Sequence, residues 1–153
     1  MASMLVGGYP ATGSLWAETN RRDRRVREPN GDAAYPSVDK DDLAAVATIV
    51  LFDSAFAGSI VEALGPPISS SERVALIEQV IGEHVVFEEL SSYEARELWR
   101  RQGRPAETIR VTLWAQTQFL AQPLPSDSTI ERIMGRKPQT VAGWLSKHHD
   151  AFR

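Results

Sequence analysis

The chain has 153 residues, 42% of them hydrophobic and 24% charged, the balance of a folded domain rather than a disordered one. A net charge of -3 gives no general attraction to nucleic acid or anionic membrane, and the absence of cysteine excludes disulfides, thiolate metal sites and a cysteine nucleophile. No apolar run is long enough to cross a bilayer, and the opening "MASMLVGGYPATGSL" lacks the basic start of a signal peptide, so a soluble cytoplasmic protein is expected.

The first eight residues are apolar enough for a strand, and the stretch from Ala11 to Arg25 is expected to be helical with Leu15 and Trp16 inward. In "REPNGDAAYPS", Pro29, Asn30 and Gly31 mark a turn within a polar linker. "DKDDLAAVATIVLFDS" is the clearest helix, with acidic residues at its positive end and an apolar face of Leu43, Val46, Val50 and Leu51. "GSIVEALGPP" is expected to be a short strand. Ser69 with Glu72, and Ser91 with Glu94, are capping-box patterns opening two helices that Gly82 and Gly103 close. Between them, "HVVFEEL" is rich in strand formers. A longer helix follows Pro105 and breaks at Pro123; a third capping pattern, Ser128 with Glu131, begins a closing helix pair separated by Gly135 and carrying Trp144. The order implies an α/β (α+β-like) fold over residues 1–153, with few short strands and about six helices.

The acidic cluster Asp39, Asp41 and Asp42 precedes a helix, where capping explains it better than a metal does. Glu88 and Glu89 point to opposite faces of a strand, and His84, four residues before Glu88, is a candidate proton-transfer partner for it. His148 and His149 read either as solvent-facing groups of the last helix or as groups that help cap its C-terminus. The run "RRDRRVR" has the charge to hold a phosphate, an acidic ligand or RNA, yet no aromatics interleave it, and it reads as a solvated helix end paired with nearby acids. "GYPATGS" has the spacing of a phosphate loop without its lysine.

The segments "GDAAYPSVDKDDLAAVATIVL", "GSIVEALGPPISSSERVALIEQVIGEHVVFEELSSYEARE" and "TIERIMGRKPQTVAGWLSKHHDAF" follow one another as in the C-terminal half of an NmrA-like, atypical short-chain dehydrogenase/reductase, which the chain resembles over nearly its whole length. The resemblance implies a substrate-side half, with Tyr9, Trp16, Trp114 and Phe119 in pocket-lining stretches and a hydrophobic organic molecule as ligand. Tyr9 and His84 are then the candidate polar, catalytic groups, and Trp16, Trp114 and Phe119 the candidate substrate-binding ones. The family's dinucleotide fingerprint lies in the other half, and none of the ten glycines here forms G-x-G-x-x-G. A self-sufficient nicotinamide oxidoreductase is therefore not expected, and no cofactor or metal is implied. Met1 at the head suits a naturally short protein as well as a split one.

Two main readings follow. In the first, the chain binds a small molecule and catalyses an isomerisation, cyclisation or dehydration that needs no redox cofactor. In the second, it is a non-catalytic interaction module. A third makes it a split subunit with a separate Rossmann partner. A homodimer is expected to complete the short sheet. A closed pocket with polar groups favours the first reading, and a solid core with an open hydrophobic face the second.

Overall fold

The computed structural model describes residues 15–122 and 128–153. In chain order the elements are α1 (Leu15–Asp23), β1 (Arg25–Glu28), β2 (Tyr35–Pro36), α2 (Lys40–Phe52), β3 (Pro67–Ile68), α3 (Ser70–Ile81), β4 (Val86–Glu89), α4 (Ser92–Arg101), α5 (Ala106–Ala121), α6 (Thr129–Met134) and α7 (Val141–His148), with 3-10 turns at Ser54–Phe56 and His149–Phe152. The expected α/β class, rich in helix and with few short strands, is what forms. The expected strand over the first eight residues lies outside the described residues.

Alternation decides the first strand. Val26 and Glu28 of β1 are buried, while Arg25 and Arg27 on the opposite face are half-buried. β4 pairs with β1 in parallel, Val26 beside Phe87 and Arg27 beside Glu88. Glu88 accepts hydrogen bonds from Arg25 Nη1 at 2.8 Å and Arg27 Nε at 2.9 Å, which neutralises the outer face of the pair. The run expected to be a solvated helix end is therefore split, its first half ending α1 and its second forming a strand. Opposing charge on β4, five dozen residues downstream, made the strand possible. The second sheet is a two-residue antiparallel pairing of β2 with β3.

Local sequence fixes most helix ends. Ser69 with Glu72 and Ser91 with Glu94 form complete capping boxes, Asp39 caps α2, and Thr140 caps α7. Gly82 and Gly135 end α3 and α6 in the left-handed region, at φ 73° and 68°. The third expected box is absent: Ser128 has φ -90° and ψ 7°, and its side chain makes no cap bond. A backbone in that region does not aim the hydroxyl at the N3 amide.

Three apolar clusters hold the layers. Trp16, Val26, Val74, Ile77, Ile81, Val85, Trp144 and Phe152 join α1, β1, α3 and α7. Trp99 packs with Ile109 and Leu113 between α4 and α5, and Val46 with Val38 and Ile130 between α2 and α6. Two expectations fail here. "GSIVEALGPP" is not a strand except at its last residue, Pro67, which opens β3 against β2; Gly58 takes φ 74°, Pro66 and Pro67 have no amide hydrogen to donate, and Ile60 is 94% exposed. Leu51, assigned to the buried face of α2, is 80% exposed, since only Val46 and its half-buried neighbours Leu43 and Val50 reach α6.

The sharpest steric demand is at Gly65, where an added Cβ would lie 1.7 Å from the Ser37 carbonyl oxygen, a backbone atom that cannot swing aside. Gly65→Ala is expected to cost ~2 kcal/mol or more in urea unfolding. Gly82→Ala, with open space around it but a positive φ, is expected to cost about 1 kcal/mol.

Candidate functional site

The carboxyl end of a parallel strand is where open α/β sheets place ligands, and β1 ends in a buried carboxylate. Glu28 Oε1 accepts a hydrogen bond from Trp16 Nε1 of α1 at 2.7 Å, and Oε2 accepts one from Ser70 Oγ of α3 at 3.0 Å. Beside it, Arg73 is 2% exposed. Its Nη1 donates to the Tyr35 hydroxyl at 2.5 Å, its Nη2 donates to Ser37 Oγ at 2.8 Å, and the guanidinium lies 4.0 Å from the Tyr35 ring centre. Phe119 of α5 packs on Tyr35 with ring centres 6.0 Å apart. Arg104, half-buried, lies 4.8 Å over the Trp99 ring.

The local sequence places these groups. Ser70, Arg73, Val74, Ile77 and Ile81 are the buried residues of α3, so two polar side chains occupy the apolar stripe. That interruption of the stripe, with the alternation that buries Glu28, is the signal that sequence reasoning missed. Burial holds the Glu28 carboxyl above its ordinary value, against the hydrogen bonds of Trp16 and Ser70 and the charges of Arg73 and Arg104. Burial likewise pulls Arg104 below its ordinary value, while the charge of Glu28 supports it. The partners engage one another, so the cluster orders α1, β1, β2 and α3 and leaves no idle acid or base.

The candidate residues do not converge. Trp16 belongs to the Glu28 cluster, and Phe119 reaches it through Tyr35. Trp114 is 62% exposed, because α5 turns Ile109, Leu113 and Gln116 inward instead. His84 lies before β4 rather than on it, and its exposed ring pairs through Nδ1 with Glu78 Oε2 at 2.9 Å, not with Glu88. Glu78 also accepts the Val85 amide, and that bond first, then His84, lowers its pKa. Tyr9 lies outside the described residues. Asp39 caps α2, and Asp42 is buried against Arg136 Nη2 at 2.6 Å and the Gln139 amide, a tie between α2 and the turn before α7. No cluster of metal-ligating side chains occurs among the described residues.

Clefts open at the surface of the described residues, and three are lined as follows. The first, about 420 Å³, runs between α3 and the start of α7, with walls of Pro66, Pro67, Ile68, Leu76 and Val141. A second of about 700 Å³ lies between the end of α2 and α6. The third, about 310 Å³, is ionic and sits at the α2 N-terminus beside Arg136 and His148. No helix among the described residues is long and apolar enough to cross a membrane.

These residues do not fit a dinucleotide. A pyrophosphate needs an open helix N-terminus after a strand. Here α2, α3 and α4 follow β2, β3 and β4, and their first turns are filled by Asp39, Glu72 and Glu94. Gly31, after β1, serves another purpose: a Cβ there would come 2.4 Å from a Phe87 ring carbon.

The pH dependence of stability follows from the carboxylates. A carboxyl raised in the folded state contributes most below its ordinary value of 4.5, and that contribution is lost as pH rises through the folded value. Glu88, Glu94 and Glu107 are held low by arginine or serine partners, so they contribute above the ordinary range and lose it as pH falls through their folded values. Between neutrality and about pH 5, acidification should therefore stabilise the wild type relative to Glu28→Gln, read from urea midpoints. Parallel profiles would contradict the burial cost assigned to Glu28.

No protein-family model matches the chain. It is 29% identical over 138 residues to the (4-alkanoyl-5-oxo-2,5-dihydrofuran-3-yl)methyl phosphate reductase of Streptomyces griseus, a match covering 90% of this chain and 49% of that protein. Among solved structures, the Citrobacter sp. triphenylmethane reductase complexed with NADP(H) superposes with a TM-score of 0.74 at 15% identity, over 86% of this chain and 46% of that one. An NADPH-dependent quinone oxidoreductase from Escherichia coli gives 0.71 at 18%, over 86% and 50%. A nucleoside-diphosphate-sugar epimerase from Staphylococcus aureus gives 0.72 at 15%, over 86% and 46%. The chain thus spans about half the length of the proteins it matches. The chain shares its fold with about half of each of these solved reductases and of the epimerase.

Proposed function

We propose that this chain is the substrate-side part of a cytoplasmic reductase of small hydrophobic organic molecules, working with a dinucleotide-binding part that lies outside these residues. The observation that carries the reading is the β1–β4 sheet. Parallel strands belong to larger sheets covered on both faces, and here two parallel strands stand with a half-exposed face of Arg25, Arg27 and Glu88. The filled helix N-termini agree with it, since pyrophosphate binding is then the task of other residues. The likeness to the Streptomyces griseus reductase supports the reaction class.

In this reading the Glu28–Arg73–Tyr35 cluster is a rigid floor rather than a reacting pair. It fixes the end of β1 and the start of α3, and so presents Trp16 and Phe119 toward the substrate. Tyr9 stays a proposed polar contact. His84 and Trp114 are not assigned to the site, because both face solvent. A second reading, a small-molecule binder whose chemistry is an isomerisation, cyclisation or dehydration without nicotinamide, is favoured by the 420 Å³ cleft with its apolar walls.

Native mass spectrometry and NADPH oxidation separate the two. The chain alone is expected to bind no NADPH, and mixing it with the N-terminal half of the Streptomyces griseus reductase is expected to give a complex that retains NADPH and oxidises it with a quinone acceptor. Stoichiometric NADPH binding by the chain alone would contradict the first reading. A co-purified organic molecule removed by Ala75→Trp, a substitution in the α3 wall of that cleft, with no response to the added half, would favour the second.

A further inference from the structure

We propose that the surface formed by the end of α2, the loop after it and α6 is a two-fold contact between two copies of this chain. Three large apolar side chains stand there almost fully in water: Leu51 at 80% exposure, Phe52 at 86% and Ile60 at 94%. Scattered single apolar residues on a surface need no explanation, but Phe52 and Ile60 stand close to one cleft, with Leu51 next to Phe52 at the end of α2. Ile60 lines the 700 Å³ cleft between the loop and α6, and Phe52 lies one helical turn from Ile49, which lines it too. Phe56, Val61 and Ile133 supply the rest of its apolar wall.

The charges on the same surface choose the occupant. Asp53, Glu62 and Arg132 all line the cleft. Asp53 Oδ1 accepts from the Ala55 amide, and Arg132 Nη2 donates to Thr129 Oγ1. None of the ion pairs among the described residues uses any of the three. A patch holding both signs unpaired, together with apolar projections and a cleft to take them, is complementary to itself. Such self-complementarity is what a two-fold contact requires, each copy giving the same surface and receiving it. In that contact Phe52 and Ile60 of one copy enter the cleft of the other, and its Arg132 meets the acidic rim. Phe52 and Ile60, at on the order of 150 Å² each, supply roughly a third of the about 800 Å² per partner that a specific interface buries, and the cleft walls supply the rest. The surface is separate from the β1–β4 sheet, so this contact stands or falls independently of the activity proposed above.

Sedimentation equilibrium of the full chain over a range of concentrations tests it. The wild type is expected to be a dimer. Phe52→Glu and Ile60→Glu, at positions too exposed to support the fold, should each weaken it by about 30-fold or more, with an unchanged circular dichroism spectrum and melting point. Arg132→Glu alone should weaken the dimer, and adding Glu62→Arg should restore it, a rescue that loss of folding does not give. A monomeric wild type at every concentration overturns the proposal, and so does a dimer that survives both glutamate substitutions in folded protein. A monomer that captures a different protein through this patch gives the surface another occupant and overturns it as well.

Discussion

Glu28 sits where α1, β1 and α3 meet, and the position of each depends on how its charge is satisfied. A carboxylate moved out of water is costly unless it is hydrogen-bonded and near opposite charge. Trp16 and Ser70 donate to its two oxygens, and Arg73 and Arg104 supply the field. Because the donors come from different elements, the requirement acts as a positional constraint: α1 must lie over β1, and α3 must start beside its end. An apolar residue at position 28 would pack, but it would not specify which indole and which hydroxyl lie against it.

The same device recurs at Asp42, which is buried in the first turn of α2 and holds both Arg136 and the Gln139 amide. That tie fixes the turn between α6 and α7, and α7 then leads into the 3-10 turn that buries Phe152. The Phe152 carbonyl accepts from Asn20 and Arg24, so the last turn of the chain is anchored on α1. Polar bonds between remote segments thus set the arrangement, and the apolar clusters fill what they enclose. The consequence for function is that the buried ionisable groups are committed to structure.

The acids at the helix N-termini sharpen this. Capping boxes at α3 and α4 end each helix cleanly, yet they also place a carboxylate where a nucleotide phosphate would need to approach. In a fold whose relatives include enzymes of NADP(H), these helix starts are closed to the cofactor by the residues that make the helices stable.

Much of the local structure was legible in sequence. Two capping boxes, the Asp39 and Thr140 caps and the glycines at 82 and 135 are short-range signals, carried by residues three or four apart that interact whatever surrounds them. The β4 strand and the order of helices were legible for the same reason, and the order was enough to suggest the half-fold. What failed depended on distant partners. β1 reads as a charged helix end until Glu88 is placed beside Arg25 and Arg27. "GSIVEALGPP" has the composition of a strand, but only its last residue, Pro67, pairs, opposite Pro36 of β2. Ser128 carries the right spacing and the wrong backbone angles. His84 was assigned to Glu88 by strand periodicity, whereas β4 begins two residues later and the ring turns to Glu78 on α3. The Glu28 cluster was invisible because its members come from four separate elements, and only the packed chain decides which of 17 basic and 20 acidic side chains leave water. The sequence by itself determined where helices start and stop, since those bonds close within one turn. The tertiary structure decided which charges are buried and which apolar groups are left outside, because both are properties of contacts between segments far apart in the chain.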